Sequence, residues 1–130
     1  VSYYNAALQV DPDHFLSLRA LAKIYANMER FKEAAHFYIL ALELEPTPAM
    51  YVEYGSVLFR QMKDKEAIQA FENAINLDPQ FAPAYNNLAL ALFMIGDYTG
   101  AWRAIELCQK SGGNPPRELI NMLKEKMQEP

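Results

Sequence analysis

The sequence predicts an all-α solenoid built from stacked pairs of helices, and two observations lead to this fold class. A proline recurs at Pro12, Pro46 and Pro79, with spacings of 34 and 33 residues. Each proline follows an acidic residue and a run of apolar residues with helical spacing. A repeat of this length is typical of two-helix units that bury their apolar faces against neighbouring units rather than in one central core.

Each unit is predicted to contain two helices joined by a short turn. In the first unit, Leu18, Leu21, Ala22 and Tyr25 recur at intervals of three and four residues, which places them on one face of a helix. The same spacing continues through the chain. The predicted helices span residues 14–28, 31–45, 48–62, 65–78, 82–95 and 98–111.

Capping and turn residues support these helices. Thr47 is a favourable N-cap before Pro48, because proline fits the first helical position, where no N–H is needed. Gly96 and Asp97 mark the turn in the third unit, with Asp97 capping the next helix. The first two units have no glycine in this turn, so we expect their turns to be more strained or differently shaped.

The two ends of the chain differ from its middle. Residues 1–10 match the second helix of a preceding unit, with Tyr4 and Ala7 at packing positions and Pro12 closing the helix. Residues 116–128 form an amphipathic helix suited to capping the last unit, since the end of a solenoid needs a polar outer face. Its apolar stripe is Leu119, Ile120, Leu123 and Met127. The predicted organisation is one domain over 1–130, made of a half unit (1–12), three full units (13–46, 47–79, 80–113) and a capping helix (114–130).

Eight positions recur when the three full units are superimposed. They are Leu18, Leu21, Ala22, Tyr25, Ala34, Tyr38, Ala41 and Pro46; Tyr51, Tyr54, Gly55, Leu58, Ala67, Phe71, Ala74 and Pro79; and Tyr85, Leu88, Ala89, Leu92, Ala101, Ile105, Cys108 and Gly113. This pattern resembles the tetratricopeptide repeat, which reads W-x2-L-G-x2-Y, then A-x3-F, then A and P. Two departures are the missing tryptophan and Gly113 in place of the third proline.

The resemblance implies a right-handed superhelix whose concave groove, lined by the first helix of each repeat, binds a protein or peptide partner. Transferring the family's groove positions by register gives a candidate partner site. The transferred positions are Leu16, Arg19, Lys23, Ala26, Asn27, Ala49, Val52, Glu53, Ser56, Phe59, Arg60, Pro83, Asn86, Asn87, Leu90, Phe93 and Met94. All of them except Leu16, Ala26, Ala49 and Pro83 make up the predicted partner site.

Apolar side chains in this set are candidate anchors. Phe59, Leu90 and Phe93 fall outside the packing face implied by the signature residues, so they either form an exposed apolar patch that contacts the partner or bury partly against neighbouring helices.

Charged side chains in the same set favour acidic residues of the partner. Arg19, Lys23 and Arg60 place positive charge in the groove, and Glu53 weakens it. Some family members clamp the C-terminal carboxylate of a chaperone. Only Arg19 and Lys23 loosely fit that clamp, because Glu53, Pro83 and Asn87 stand where it needs Asn, Lys and Arg.

The sequence predicts no catalytic residue, metal site or cofactor. His14 is expected in an inter-repeat loop and His36 on a helix surface, and neither has ligand-type neighbours at metal-binding spacing. Cys108 replaces a packing alanine and has no adjacent base. Trp102, beside the packing position Ala101, is expected to be buried against the capping helix.

Composition narrows the class of partner. The net charge of −4 and the 22% of charged residues fit a soluble protein and lack the basic footprint of a nucleic-acid-binding surface. No stretch approaches the ~20 apolar residues of a membrane span. The sequence carries no readable localisation signal.

These observations predict a protein–protein interaction scaffold that binds a peptide or protein in its groove for complex assembly. Two alternatives stay open. One is an internal spacer of a longer repeat array, with possible self-association through residues 1–10. The other is an adaptor of the co-chaperone type.

Overall fold

The computed structural model describes residues 14–128, which contain seven α-helices and no strand. The helices are α1 (His14–Asn27), α2 (Phe31–Leu44), α3 (Pro48–Arg60), α4 (Asp64–Leu77), α5 (Ala82–Met94), α6 (Tyr98–Lys110) and α7 (Arg117–Gln128). The predicted all-α solenoid is confirmed. The helix predicted for residues 1–10 lies outside the described residues. No helix between residues 14 and 128 is long and apolar enough to cross a membrane.

The helices pack in the order in which they occur in the chain. α1 packs on α2, α3 on α4 and α5 on α6, which makes three antiparallel pairs with the most extensive contacts. The second helix of each pair then contacts the first helix of the next, and α6 contacts α7. α3 also touches α5 directly, so the first helices of successive pairs lie side by side.

Each pair is held together by a small residue on its first helix and a large one on its second. A Cβ atom added to Gly55 would lie 2.5 Å from Cε1 of Phe71, so the ring occupies the space that a methyl group would need. Ala22 and Ala89, at the same register, are fully buried. The smallest side chains therefore set how closely the two helices approach.

The last helix covers the end of the third pair. Leu119 and Leu123 are buried with Ile105 in one cluster, against which Trp102 and Ile120 pack while partly buried. Trp102 therefore lies against the capping helix as expected, although it is not fully buried. Met127 is exposed, so it is wrong to include it in the covering stripe.

Two of the predicted capping residues bind the backbone of their helices. Thr47 Oγ1 accepts a hydrogen bond of 3.2 Å from the N–H of Met50. Asp97 Oδ1 accepts one of 3.0 Å from the N–H of Gly100.

The expected position of His14 is wrong, because His14 is the first residue of α1 rather than part of a loop.

The turns within the three pairs have the same backbone shape. Glu29, Met62 and Gly96 have φ angles of 60°, 64° and 88°. In each turn the next N–H donates to a carbonyl near the end of the preceding helix, at 2.9 Å: Arg30 to Tyr25, Lys63 to Leu58 and Asp97 to Leu92. The first two turns are therefore not differently shaped. They hold side-chain-bearing residues in the left-handed region, where a Cβ atom costs about 1–2 kcal/mol.

Replacing Met62 by glycine should stabilise the domain. The Met62 side chain is 86% exposed, so its removal sacrifices little packing. Relief of the left-handed strain, less the backbone entropy that glycine loses on folding, should raise the free energy of unfolding by roughly 0.5–1 kcal/mol. Urea denaturation monitored by circular dichroism measures this change. Met62→Ala is the control, since it removes the side chain and keeps the strained Cβ; equal stability of the two variants would contradict the explanation.

Candidate partner-binding groove

The first helices line a cavity of about 380 Å³ between the first two repeats, here called the first cavity. Six residues of the predicted site meet there: Lys23, Asn27, Val52, Glu53, Ser56 and Arg60. Four further lining residues, absent from the predicted site, are Ala26, Phe31, Tyr38 and Val57. Phe31 and Tyr38 belong to α2, so the second helix of the first pair also contributes to the wall.

Glu53 is held by two cations from α1. Arg19 Nε lies 3.0 Å from Glu53 Oε1 and Arg19 Nη2 lies 2.5 Å from Oε2, which is a bidentate pair. Lys23 Nζ lies 3.7 Å from the same Oε2. The hydrogen bond to Glu53 raises the pKa of Arg19. The charge of Arg19 is therefore compensated within the groove, and this residue contributes less to attracting an acidic partner than the sequence suggests.

Tyr38 contributes a neutral hydroxyl-bearing ring to the same wall. Burial, followed by the neighbouring Glu53 charge, raises the pKa of Tyr38 well above its ordinary value. Both effects disfavour tyrosinate, so the ring adds no negative charge to the first cavity.

Two cations of the first cavity remain accessible. The side chains of Lys23 and Arg60 are 53% and 60% exposed. The Arg60 guanidinium lies 4.9 Å from the centre of the Phe31 ring and 3.6 Å from Glu29 Oε1, so it has only a loose, exposed ion pair. The cavity is also lined by the apolar residues Ala26, Phe31, Val52 and Val57, of which the last two are buried. The first cavity thus combines two accessible positive groups with an apolar floor.

A second cavity of about 390 Å³ lies between α5 and α7, with Cys108 and Gly113 in its wall. Asn86, Asn87 and Leu90 of the predicted site line it. The other lining residues, absent from the predicted site, are Ala82, Pro83, Asn114, Pro116, Glu118, Leu119 and Met122. Several of these lie on or just before α7, which is not part of the repeat and has no counterpart in the repeat pattern.

The polar side chains of the second cavity are three asparagines, Asn86, Asn87 and Asn114, and one glutamate, Glu118. Asn86 Oδ1 is buried without a hydrogen-bond partner. Asn87 Nδ2 donates to the carbonyl of Pro83 at 2.9 Å. Cys108 is buried, and burial raises the pKa of its thiol, so the protonated form is favoured. Leu90 and Met122 are exposed apolar side chains at this site.

Four residues of the predicted site line neither cavity, and the first of them is Arg19, which pairs with Glu53. Phe59 is partly buried against the cluster that contains Phe71. Phe93 is partly buried against the cluster of α5, α6 and α7, and its ring centre lies 5.3 Å from that of Tyr98. Both phenylalanines therefore follow the second of the two alternatives, partial burial against neighbouring helices, whereas Leu90 is exposed. Met94 is exposed but lines neither cavity.

Removing the charge of Glu53 should destabilise the domain more than removing an equivalent exposed charge. Arg19 and Glu53 are 30% and 23% exposed, whereas the Arg30–Glu33 pair is 56% and 39% exposed. Glu53→Gln leaves a partly buried guanidinium without its counter-charge, at a cost of about 1–2 kcal/mol. Glu33→Gln, the control, should cost at most about 0.5 kcal/mol. Urea denaturation compares the two, and equal losses would show that the Glu53 pair contributes no more than a surface ion pair.

Comparisons with known proteins match the repeat along the chain. The TPR repeat matches residues 55–96, and the tetratricopeptide repeat matches residues 20–48. The peroxisomal targeting signal receptor of Kluyveromyces lactis is 39% identical over 98 residues, which is 75% of this chain and 17% of that protein. The receptor of Candida glabrata is 36% identical over 102 residues, 78% of this chain and 17% of that protein. The chain thus spans 17% of the length of these relatives.

Solved structures share the fold. The Sgt2 TPR domain of Aspergillus fumigatus has a TM-score of 0.83 at 22% identity, covering 89% of this chain and 80% of that one. The first TPR of Spaghetti (RPAP3), bound to the HSP90 peptide SRMEEVD, has a TM-score of 0.81 at 23% identity. The match covers 92% of this chain and 94% of that one. Because the repeat, the relatives and the folds agree along most of its length, this chain belongs to the tetratricopeptide repeat family.

Proposed function

We propose that this domain is a protein-interaction module that binds an extended segment of a partner protein along the groove lined by α1, α3 and α5. The observation that carries the proposal is the first cavity, where Lys23 and Arg60 stand exposed beside an apolar floor. A cavity of about 380 Å³ can hold one or two side chains of a peptide. The relatives are named as receptors for a targeting signal, and the Spaghetti domain is bound to a peptide, which supports the same use here.

The preferred segment carries an acidic residue. Lys23 and Arg60 can contact a carboxylate, while Glu53 is occupied by Arg19 and repels it less than a free carboxylate would. An apolar residue next to the acid would pack against Val57. Binding of this kind brings the partner into a complex without any chemical step, and we propose no catalytic activity.

A co-chaperone adaptor is compatible with the Spaghetti domain and its HSP90 peptide. In this chain, three of the positions that form the carboxylate clamp carry residues of a different chemical type. Glu53, Pro83 and Asn87 replace the amide and basic groups that the clamp requires. A terminal carboxylate would find no basic side chain at these three positions, so we favour an internal acidic segment as the ligand.

Charge reversal in the first cavity should abolish the preference for acidic peptides. The probe is a set of labelled decapeptides that share their apolar residues and carry acidic, neutral or basic residues between them. Fluorescence polarisation should show the acidic peptides bound best, and Lys23→Glu with Arg60→Glu should weaken them by about tenfold or more. Lys65→Glu with Lys126→Glu is the matched control, since both lysines are exposed and line neither cavity.

The control double variant should bind the acidic peptides nearly as well as the unmodified domain. If acidic and basic peptides bind equally, or if both double variants lose binding equally, the first cavity is not the site. Because both variants change the net charge by the same amount, a general electrostatic effect would appear in both.

A second proposal, favoured by the outer face of α1, is that the domain is one segment of a longer array or pairs with a second copy. Leu16 and Ile24 of α1 are about half exposed. Val57 and Ala91, which occupy the register of Ile24 in the next two repeats, are buried against α2 and α4. The α1 face therefore has the composition of a surface that another helix covers.

If a second copy covers this face, the domain should associate as its concentration rises. Light scattering over a dilution series should give a mass rising from the 14.8 kDa of one chain towards twice that value. Ile24→Glu should keep the protein monomeric, whereas Ile39→Glu, the control on α2, should not. A monomer at every concentration would contradict pairing through this face and residues 1–10. A longer form of the chain that supplies a preceding helix should also remain monomeric.

A further inference from the structure

We propose that the second cavity binds a lysine side chain of the partner, with the ammonium group held by acceptors on α5 and α7. The proposal rests on the proposed function, because it assigns a further residue of the segment that lies in the groove. It also gives α7 a role beyond capping, since this helix supplies one wall of the cavity.

The unpartnered polar atom of the second cavity favours a ligand that donates hydrogen bonds. Asn86 Oδ1 is buried and has no partner, which leaves an acceptor whose desolvation is uncompensated. The Asn87 amide nitrogen already donates to the Pro83 carbonyl. Pro83 itself has no N–H. A carboxylate at this place would find acceptors opposite it, whereas an ammonium group offers three donors.

The charge of the second cavity is also negative. Glu118 is the one charged residue in its lining, and it forms no ion pair with a basic side chain among residues 14–128. It lies in the first turn of α7, where the helix dipole favours a carboxylate. An ammonium group bound beside Glu118 would pair with the carboxylate, and a rotation of the Asn86 side chain would bring its buried amide oxygen within reach of the same group.

The apolar part of the lining fits the rest of a lysine side chain. Leu90 on α5 and Met122 on α7 are both exposed on the cavity. Four methylene groups of a lysine can cover these side chains while the charged end reaches the polar acceptors. A cavity of about 390 Å³ has room for this side chain and for the adjoining peptide backbone.

The experiment titrates the isotope-labelled 130-residue chain with three capped tripeptides and follows its amide signals by NMR. The peptides are acetyl-Ala-Lys-Ala-amide, the same peptide with norleucine, and the same peptide with glutamate. The lysine peptide should shift the signals of Asn86, Leu90 and Met122. The norleucine peptide, which keeps the stem and lacks the ammonium group, should bind about fivefold more weakly, and the glutamate peptide more weakly still.

Two variants separate the cavity from general charge effects. Glu118→Gln should weaken the lysine peptide about three- to tenfold. Glu125→Gln, an exposed acid on the same helix outside the cavity, should leave its affinity nearly unchanged. Raising the salt concentration should weaken the binding of the lysine peptide and leave the binding of the norleucine peptide unaffected, since only the lysine peptide carries a charge.

Three results would overturn the proposal: no shifts at the second cavity, equal affinity for lysine and norleucine, or equal effects of the two glutamine variants. Failure here is distinct from failure of the proposed function. Lys23→Glu with Arg60→Glu should abolish the preference for acidic peptides and leave the lysine titration unchanged. If acidic peptides bind at the first cavity and lysine does not bind at the second, the groove binds peptides but α7 is only a cap.

Discussion

The close approach of a small residue on one helix to a large residue on the next is the constraint on which the rest of this structure depends. Gly55 leaves room for the Phe71 ring, and no Cβ atom could be added there without moving the ring. Ala22 and Tyr38 are buried in one cluster of the first repeat, as Ala89 and Ile105 are in the third. This contact uses one face of each first helix, and the adjacent face is left to form the groove.

Equivalent residues along the groove are separated by one repeat length. Arg19 and Glu53 are 34 residues apart, which is one repeat length, so their ion pair joins the first helices of two successive repeats. The pair has two effects on function. It connects α1 to α3 across the floor of the groove, and it removes Arg19 and Glu53 from competition for a ligand. What is left for recognition in the first cavity is the pair of exposed cations Lys23 and Arg60.

Local features of the sequence were sufficient to predict the helices, because helix periodicity, capping by Thr47 and Asp97, and the turn glycine act over a few residues. The turns show the limit of local reasoning. Glu29 and Met62 adopt the backbone that Gly96 adopts, because the flanking helices pack in the same way in every repeat and impose it.

The candidate site was harder to predict because its geometry depends on contacts between repeats. Phe59 and Phe93 lie outside the signature positions, yet helices of the same and adjoining repeats bury part of each ring. The pairing of Arg19 with Glu53 depends on the angle at which two repeats stack. The position of Glu118 and Met122 in the wall of the second cavity could not follow from the repeat, because α7 lies outside the repeat and only the folded chain places α7 beside α5.

The two cavities differ in the sign of what they can bind, and this difference bears on how one surface of a net acidic chain could select a partner. The first presents Lys23 and Arg60, whereas the second presents Glu118 and the unpartnered oxygen of Asn86. A segment with its acid at the first cavity and its lysine at the second satisfies both. The reversed segment would set carboxylate against Glu118 and ammonium against Lys23, and each like-charge contact costs binding energy. If both proposals hold, a groove with this arrangement would distinguish the direction of the bound chain as well as its composition.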